Sequence, residues 1–408
     1  KTQKVVASKR SVIDNFVKVA SDMWSQNNFD QLFDFEGKKQ RIAVVYQKTG
    51  LVMGKLNNEK KTVGNWYSYH PYGNVRSVKS YNEQGEKNGV HRFYDDFTGK
   101  LIEETEYVNG KQSGTQRLYY NTGELSEVYT FKDDQMTDTV YLYYHGGQLK
   151  ESIPVKEGKR HGVSLMYYEN GQIQYKSTFA DGKRNGESFA YHVNGNVEIE
   201  VNFENNIVNG IKKAYYPDGK TEYEYVFKND LYEGPFKRFH ANGKLEEEGQ
   251  MKAGKYFGEF KSYYSNGKLF RKAQYDEGGK ENGIAEYYDS EGKKYISFDF
   301  KKGSVSKVEV FDKGGNSVKT IVKSGKKLKY ENYYPTRNLY CEGEIIDDKR
   351  SGVWNYYDNY GVLKQTEKYV AGELQDTVFQ YFPNGAIQSK TVYNKGVKNG
   401  IYLEYNIF

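Results

Sequence analysis

Residues 162–171 read Gly-Val-Ser-Leu-Met-Tyr-Tyr-Glu-Asn-Gly, and this stretch recurs along most of the chain. Residues 114–123 read GTQRLYYNTG, and residues 258–267 read GEFKSYYSNG. Fourteen steps of 23 to 25 residues lead from Gly64 to Gly400, an average period of 24. A fixed period in this range is the signature of a repeat architecture. The repeats begin at Gly64, Gly89, Gly114, Asp138, Gly162, Gly186, Gly210, Gly234, Gly258, Gly283, Ser306, Lys329, Gly352, Asp376 and Gly400.

The sixth residue of every repeat is aromatic, although aromatic residues make up only 16% of the chain. Chance does not produce such a column, and we interpret it as a structural aromatic column that packs along the array. Its members are Tyr69, Tyr94, Tyr119, Tyr143, Tyr167, Tyr191, Tyr215, Phe239, Tyr263, Tyr288, Phe311, Tyr334, Tyr357, Tyr381 and Tyr405.

Each repeat contains two strand-like runs separated by turn signals. In the repeat from Gly162 the runs are residues 163–169 and 172–179, and the turns are Asn170-Gly171 and residues 181–186. Asn-Gly predicts a type I′ hairpin, which needs positive φ at both central residues. Val163, Leu165 and Tyr167 should share one face of the sheet because side chains alternate along a strand.

A second aromatic column occupies the return strand, and we expect it to lie on the same face as the first. It comprises Phe131, Phe179, Phe203, Phe227, Tyr275, Phe300, Tyr369 and Tyr393. The pattern predicts an all-β fold: an elongated, single-layer antiparallel β-meander of about 15 hairpin repeats. Residues 300–345 are the least regular part of the array.

The N-terminal part has a different period. Helical spacing is shown by Val12, Ile13, Phe16, Val17, Ala20, Met23 and Trp24, and Ser11 is a suitable N-cap, so the helix would cover residues 11–24. We predict a short helical segment in residues 1–39, before the repeat array of residues 40–408. It would cap the first hairpin, since open sheet edges invite pairing, or it would be a docking helix for a partner.

The repeats resemble the MORN repeat in its bacterial variant form. The residues that carry the resemblance are the Gly-x₄-Tyr-Tyr-x-Asn-Gly run and the following Gly-Lys-x-x-Gly turn, as in Gly182-Lys183-Arg184-Asn185-Gly186. The resemblance covers about residues 40–408. It implies a β-hairpin array, and proteins of this variant are often labelled antitoxin components.

Composition and charge narrow the possible functions. The chain carries 60 basic and 54 acidic residues, and the two signs interleave, which argues against a nucleic-acid-binding stripe. No apolar run reaches the ~18 residues of a membrane-spanning helix. Single Cys341 excludes an internal disulfide, and the six histidines show no metal-ligand spacing. We therefore predict a protein that is not an enzyme, with no catalytic residues, cofactor or metal.

Three functions remain open. The first is a non-catalytic protein-binding scaffold, a monomer within a periplasmic or other cell-envelope complex of the Bacteroidetes type, such as an outer-membrane secretion channel. The second is a cytoplasmic, antitoxin-like protein that neutralises a toxin by direct binding. The third is a glycan or cell-wall binder that uses exposed tyrosines. The candidate partner-contact surface is the residue after the aromatic column: Tyr120, Tyr144, Tyr168, His192, Tyr216, His240 and Tyr264.

Overall fold

The computed structural model describes residues 32–35, 38–47, 50–70 and 73–406, with side chains from residue 52 onward. The predicted helix at residues 11–24 lies outside the described residues. The predicted boundary at residue 40 falls inside a strand, because strand structure begins at Leu32. The chain divides into two compact bodies, an N-terminal body that ends at Gly195 and a C-terminal body that begins at Asn196.

Every regular element of the described residues is a strand. The strands of the N-terminal body are β1 Leu32–Phe35, β2 Lys38–Gln47, β3 Gly50–Leu56, β4 Thr62–Tyr69, β5 Val75–Tyr81, β6 Gly89–Tyr94, β7 Leu101–Val108, β8 Lys111–Tyr119, β9 Leu125–Lys132, β10 Gln135–Tyr143, β11 Leu149–Lys156, β12 Lys159–Arg160, β13 Gly162–Tyr167, β14 Ile173–Ala180 and β15 Lys183–Tyr191.

The C-terminal body continues the same pattern. Its strands are β16 Val197–Glu204, β17 Ile207–Tyr215, β18 Thr221–Lys228, β19 Leu231–Phe239, β20 Leu245–Lys252, β21 Lys255–Tyr263, β22 Leu269–Tyr275, β23 Gly283–Tyr288, β24 Lys294–Lys301, β25 Ser304–Phe311, β26 Ser317–Val322, β27 Lys327–Tyr333, β28 Leu339–Ile346, β29 Lys349–Tyr357, β30 Leu363–Val370, β31 Glu373–Leu374, β32 Asp376–Tyr381, β33 Ile387–Asn394 and β34 Val397–Glu404.

Within each body, consecutive long strands pair antiparallel, as β13–β14 and β14–β15 do in the N-terminal body and β17–β18 and β18–β19 do in the C-terminal body. Each 24-residue repeat contributes two strands. The predicted all-β antiparallel meander of hairpin repeats is therefore confirmed.

The predicted turn chemistry is wrong for the Asn-Gly turns. Gly171 has φ 84°, but Asn170 is not in the left-handed region, so the turn is not type I′. The Gly171 N–H donates to the Tyr168 carbonyl, and the Tyr168 N–H donates to the Gln172 carbonyl, as in a type I turn with a G1 bulge. Type I′ turns close the other end of most repeats, where both central residues have positive φ, as at Asp181 (50°) and Gly182 (83°). The turns that end at Gly85 and Gly279 are exceptions, with positive φ only at the glycine.

The expectation that the two aromatic columns share a face is also wrong. Gly162 pairs with Phe179, so Phe179 lies on the same face as Gly162. Tyr167 lies five residues beyond Gly162, and an odd separation along a strand places it on the opposite face. We call these two sides the glycine face, with Gly162, Ser164 and Phe179, and the column face, with Val163 and Tyr167.

The meander is interrupted in the C-terminal body within the irregular stretch 300–345. Among the described residues no ladder joins β26 to β27; a single bridge between Ser324 and Lys327 links them. Strand β27 instead packs against a buried cluster of Tyr295, Ile296, Phe298 and Val308. The rings of Phe298 and Tyr330 stack 5.8 Å apart. A local core thus forms where the sequence predicted only a thin sheet.

Candidate interaction surfaces of the sheet

Each candidate contact residue begins a turn that ends in glycine three residues later, and all seven are half-buried. Hydroxyl groups of these turn aromatics bridge successive repeats. The Tyr144 hydroxyl donates to the backbone carbonyl of Tyr167 at 2.7 Å, one repeat later. The same bond recurs from Tyr120 to Tyr143, Tyr168 to Tyr191, Tyr216 to Phe239 and Tyr264 to Tyr288, at 2.6 to 2.8 Å.

Histidine preserves this contact at position 240, where it replaces tyrosine. Nε2 of His240 lies 2.9 Å from the carbonyl oxygen of Tyr263, so the ring N–H donates the equivalent hydrogen bond. Each bond joins a turn to the bulged strand end of the following repeat. Because the polar groups of the turn aromatics are used in this way, a partner at this edge would contact ring faces.

A second ladder links the turns themselves, and the sequence analysis missed it. The Asn242 side-chain amide donates to the Ser265 carbonyl at 2.7 Å, and Lys244 Nζ donates to the Asn266 carbonyl at 2.8 Å. The next turn repeats both contacts through Asn266 and Lys268. The recurrence of Asn-Gly-Lys at the repeat period was the available signal.

The aromatic column lies on the column face, with all seven residues from Tyr119 to Tyr263 half-buried. Several column hydroxyls donate to a glutamate fifteen residues earlier. The distances are 3.1 Å for Tyr119 to Glu104, 3.0 Å for Tyr215 to Glu200, 2.7 Å for Tyr263 to Glu248 and 2.8 Å for Tyr357 to Glu342.

These glutamates change the acidity of the column. Burial, together with the Glu200 carboxylate, raises the pKa of Tyr215 to about 12. Burial and Glu342 raise the pKa of Tyr357 to about 12 in the same way. A carboxylate acceptor opposes formation of a second negative charge on the phenol. Tyr215 and Tyr357 therefore remain neutral donors over the physiological pH range.

An apolar ridge lies beside the column on the same face. Its residues occupy the second position of their repeats and are β-branched: Val163, Ile211, Ile284 and Val353. Their exposed fractions are 41%, 53%, 57% and 52%. Three of these four residues lie in the C-terminal body, where Glu259 and Lys307 occupy the same position of intervening repeats. The ridge is therefore a series of separate exposed apolar side chains at one repeat position of the column face.

Each body also has an aromatic cleft on its sheet. In the N-terminal body a cavity of about 380 Å³ is lined by Trp66, Tyr67, Tyr69, Tyr81, Phe93, Arg76 and Lys79, among others. In the C-terminal body a cavity of about 430 Å³ is lined by Tyr334, Tyr340, Arg350, Tyr356, Tyr357, Lys364, Gln365, Glu367 and Tyr369. The sequence analysis identified neither cleft.

A glycine makes room for a tryptophan near each cleft. A Cβ on Gly54 would lie 2.3 Å from the Trp66 ring, and a Cβ on Gly343 would lie 2.4 Å from the Trp354 ring. Each indole therefore lies across a bare backbone position on the neighbouring strand. Neither glycine has positive φ, so close approach, not turn geometry, requires it.

The described residues offer neither a metal site nor a membrane-spanning helix. The part of the chain that the structure describes contains no cluster of three or more His, Cys, Asp or Glu side chains placed to hold a metal ion. In that part, no helix is long and apolar enough to cross a membrane. Burial raises the pKa of the Cys341 thiol to about 11, so that sulfur is largely protonated at neutral pH.

Paired strands, a 24-residue period and repeat-to-repeat hydrogen bonds define a β-hairpin repeat protein. A sequence model of the MORN repeat variant matches residues 160–181, 184–205, 208–229, 232–253 and 258–277. Residues 160–277 therefore contain five consecutive repeats of the MORN variant, as the resemblance predicted. No curated protein matches it.

Solved structures offer only distant likenesses. "Crystal Structure of TcdB2-TccC3-Cdc42" is 12% identical, with 88% of this chain and 21% of that chain covered and a TM-score of 0.16. "Crystal Structure of TcdB2-TccC3" is also 12% identical, with 92% and 25% covered and a TM-score of 0.15. The chain thus spans about a fifth to a quarter of the length of those chains.

Proposed function

We propose that this chain is a non-catalytic scaffold that binds another protein as an accessory subunit of a cell-envelope assembly, such as an outer-membrane secretion channel. The observation that carries the binding role is the recurrence of exposed apolar side chains at one repeat position of the column face, with Ile211, Ile284 and Val353 in the C-terminal body. Repeat arrays offer extended surfaces of this kind to partners.

The ladders support this role physically. Hydrogen bonds such as Tyr144 to Tyr167 hold the turns of adjacent repeats in register. A surface that is already ordered loses little conformational entropy when it binds. The cell-envelope placement is supported by the likeness of Lys-, Asn- and Tyr-rich MORN-variant chains to envelope proteins of the Bacteroidetes type.

The test is a mild-detergent pull-down of the native protein from its own cells, with mass spectrometry of the retained proteins. We expect an envelope protein, such as an outer-membrane barrel, at fixed stoichiometry. Ile211→Asp and Val353→Asp should each release it, since a buried unpaired carboxylate opposes docking. The control is Glu187→Gln, at the same repeat position, where the native side chain is exposed and acidic.

Three results would contradict the proposal. Recovery of the native protein only as a free soluble monomer would show that it is not a subunit of a stable assembly. Retention of one small cytosolic protein alone would favour the antitoxin function. Equal retention by the aspartate variants and by Glu187→Gln would show that the ridge is not the contact surface.

A further inference from the structure

The cleft of the C-terminal body contains an arginine whose orientation is set by its neighbours. The Arg350 guanidinium carbon lies 4.5 Å from the centre of the Trp354 ring and 5.3 Å from that of Tyr369. Its Nη1 donates to the hydroxyls of Tyr356 at 2.8 Å and Tyr369 at 3.1 Å. The residue itself is exposed. A guanidinium held by stacking and by two hydroxyls is preorganised for a ligand.

Comparison with an equivalent repeat shows that this charge lacks its usual partner. Arg160 occupies the same position, two residues before the opening glycine, and pairs with Glu151 at 3.5 Å. Glu151 faces Met166 across the ladder, and the corresponding pair in the later repeat is Cys341 and Tyr356. Cysteine thus stands where the earlier repeat has its carboxylate. In the described part of the chain, Arg350 forms no ion pair.

The one carboxylate that lines the cleft has other partners. Glu367 accepts hydrogen bonds from the Tyr369 hydroxyl at 2.8 Å and from the Gln365 amide at 2.7 Å. The Nε and Nη2 edge of Arg350 therefore remains available for a planar, bidentate anion. Lys364 adds a second cation to the lining.

The aromatic lining favours a sugar ring over a compact anion. Tyr340 is 39% exposed, and its ring lies 6.1 Å from that of Tyr356 at 70°, so the two rings form an angled wall. Tyrosine rings offer broad apolar faces, and their hydroxyls hydrogen-bond at the edge. Glu367 and Gln365 can accept from or donate to sugar hydroxyls. The same Glu367 would repel the nearly doubly charged phosphate of a phosphopeptide more strongly than a singly charged carboxylate.

We propose that this cleft binds a carboxylated sugar residue of an acidic glycan, with Arg350 on the carboxylate and the Tyr340 and Tyr356 rings against the sugar. This site is separate from the apolar ridge, so it stands or falls independently of the protein-binding role.

The test is titration calorimetry on the full chain with trigalacturonate and with a hyaluronan tetrasaccharide. Their methyl esters, which lack the negative charge, are the matched neutral probes. We expect at least one acidic probe to bind, and its ester to bind about tenfold more weakly or not at all. Arg350→Gln and Tyr340→Ala should each weaken binding by about tenfold or more. Arg160→Gln, the repeat-equivalent control whose native side chain is already paired, should leave binding unchanged.

Because Tyr340 is 39% exposed, Tyr340→Ala should leave the fold intact. Thermal melting of each variant checks that it is folded. Failure of both acidic probes to bind the folded wild-type chain would overturn the proposal. So would equal binding of acid and ester, or an equal loss with Arg160→Gln and Arg350→Gln. Binding of a glutamate-rich peptide in place of both glycans would assign the cleft to a protein partner and reject the sugar.

Discussion

The Tyr215 hydroxyl donates to the Glu200 carboxylate at 3.0 Å across the pairing of β16 and β17. These residues are fifteen positions apart. The same separation recurs from Tyr263 to Glu248 and from Tyr357 to Glu342. The column is thus held by a hydrogen bond to the preceding strand as well as by ring packing, and this bond carries a pH dependence.

Alkaline pH should weaken the C-terminal body through these pairs. The pKa of Tyr215 rises from its ordinary value of 10 to about 12, through burial and the Glu200 carboxylate. The folded state therefore holds the proton more tightly than the unfolded state, so this stability is fully present below pH 10 and is lost as pH rises through about 12. In Tyr215→Phe the free energy of unfolding should decrease less steeply than in the wild type between pH 10 and about 12. Urea melts at several pH values measure this slope.

The control for that experiment is Tyr143→Phe. Tyr143 occupies the same repeat position, but Val128 stands where Tyr215 has Glu200. The control should show the wild-type pH slope. If Tyr215→Phe also keeps the wild-type slope, the hydrogen bond to Glu200 does not contribute to stability.

Loss of one turn-aromatic hydroxyl should destabilise the array modestly. Tyr216→Phe removes the donor to the Phe239 carbonyl at 2.8 Å and leaves the ring in place. We expect a cost of about 1 kcal/mol, the usual net value of such a bond. The midpoint of urea unfolding reports it. Tyr141→Phe, on an exposed tyrosine, should change the midpoint little, and equal effects of the two changes would contradict the ladder.

Gly343 should resist replacement because of the Trp354 ring. The Cβ of Gly343→Ala would lie 2.4 Å from that ring, which is 1% exposed and cannot move into solvent without loss of burial. Overpacking of this kind costs about 1–3 kcal/mol. Thermal denaturation should show the loss. The cost of Gly343→Ala should be smaller in the Trp354→Leu background than in the wild type, because the smaller side chain leaves room for the Cβ. Additive effects would show that the two positions do not interact.

A buried ion pair should hold the region around the interrupted sheet. Arg337 Nη1 lies 2.5 Å from Asp289 Oδ2, 48 residues away along the chain, and both side chains are largely buried. Burial alone would raise the pKa of Asp289, but Arg337 and backbone N–H donors lower it below its ordinary value. Asp289→Asn should cost about 3–5 kcal/mol, because it leaves the arginine charge uncompensated.

Limited proteolysis in residues 323–326 and thermal melting are suitable measurements of that loss. Because the folded-state pKa of Asp289 is depressed, the wild type should keep the pair's stability at neutral pH and lose it as pH falls below the ordinary aspartate value. Asp347→Asn breaks the well-exposed Lys326–Asp347 pair and serves as the control. Similar melting temperatures for both variants would argue against a stabilising role for Arg337.

Much of the architecture was predictable from the repeat itself. The period of 24 and the aromatic sixth position determined the all-β meander, since each repeat has room for two strands and two turns. The positions of the turn aromatics were visible in the sequence because they recur beside the column, and their contact with a partner remains a prediction. Counting alone did not decide the faces of the two columns: Gly162 and Tyr167 are an odd number of residues apart, but the face of Phe179 follows only from its pairing with Gly162.

The turn types were less predictable. Asn-Gly suits a type I′ turn, yet the bulge at Tyr167 leaves Asn170 outside the left-handed region. Asp133 and Asp134, which carry no glycine signal, form a type I′ turn with φ 51° and 67°. Strand register decides between these turns, and register depends on the pairing of both strands.

The repeating hairpin could be predicted without a structure, because local alternation and turn residues recur at a fixed period. The contacts between repeats could not: they include the carbonyl that Tyr144 binds, the pairing of Arg337 with Asp289, and the cysteine that replaces a carboxylate near Arg350. The first two contacts join residues about 20 to 50 positions apart in sequence. The third feature is a change of one residue in a single repeat. The geometry of these contacts depends on strand register and twist, which no periodic pattern specifies.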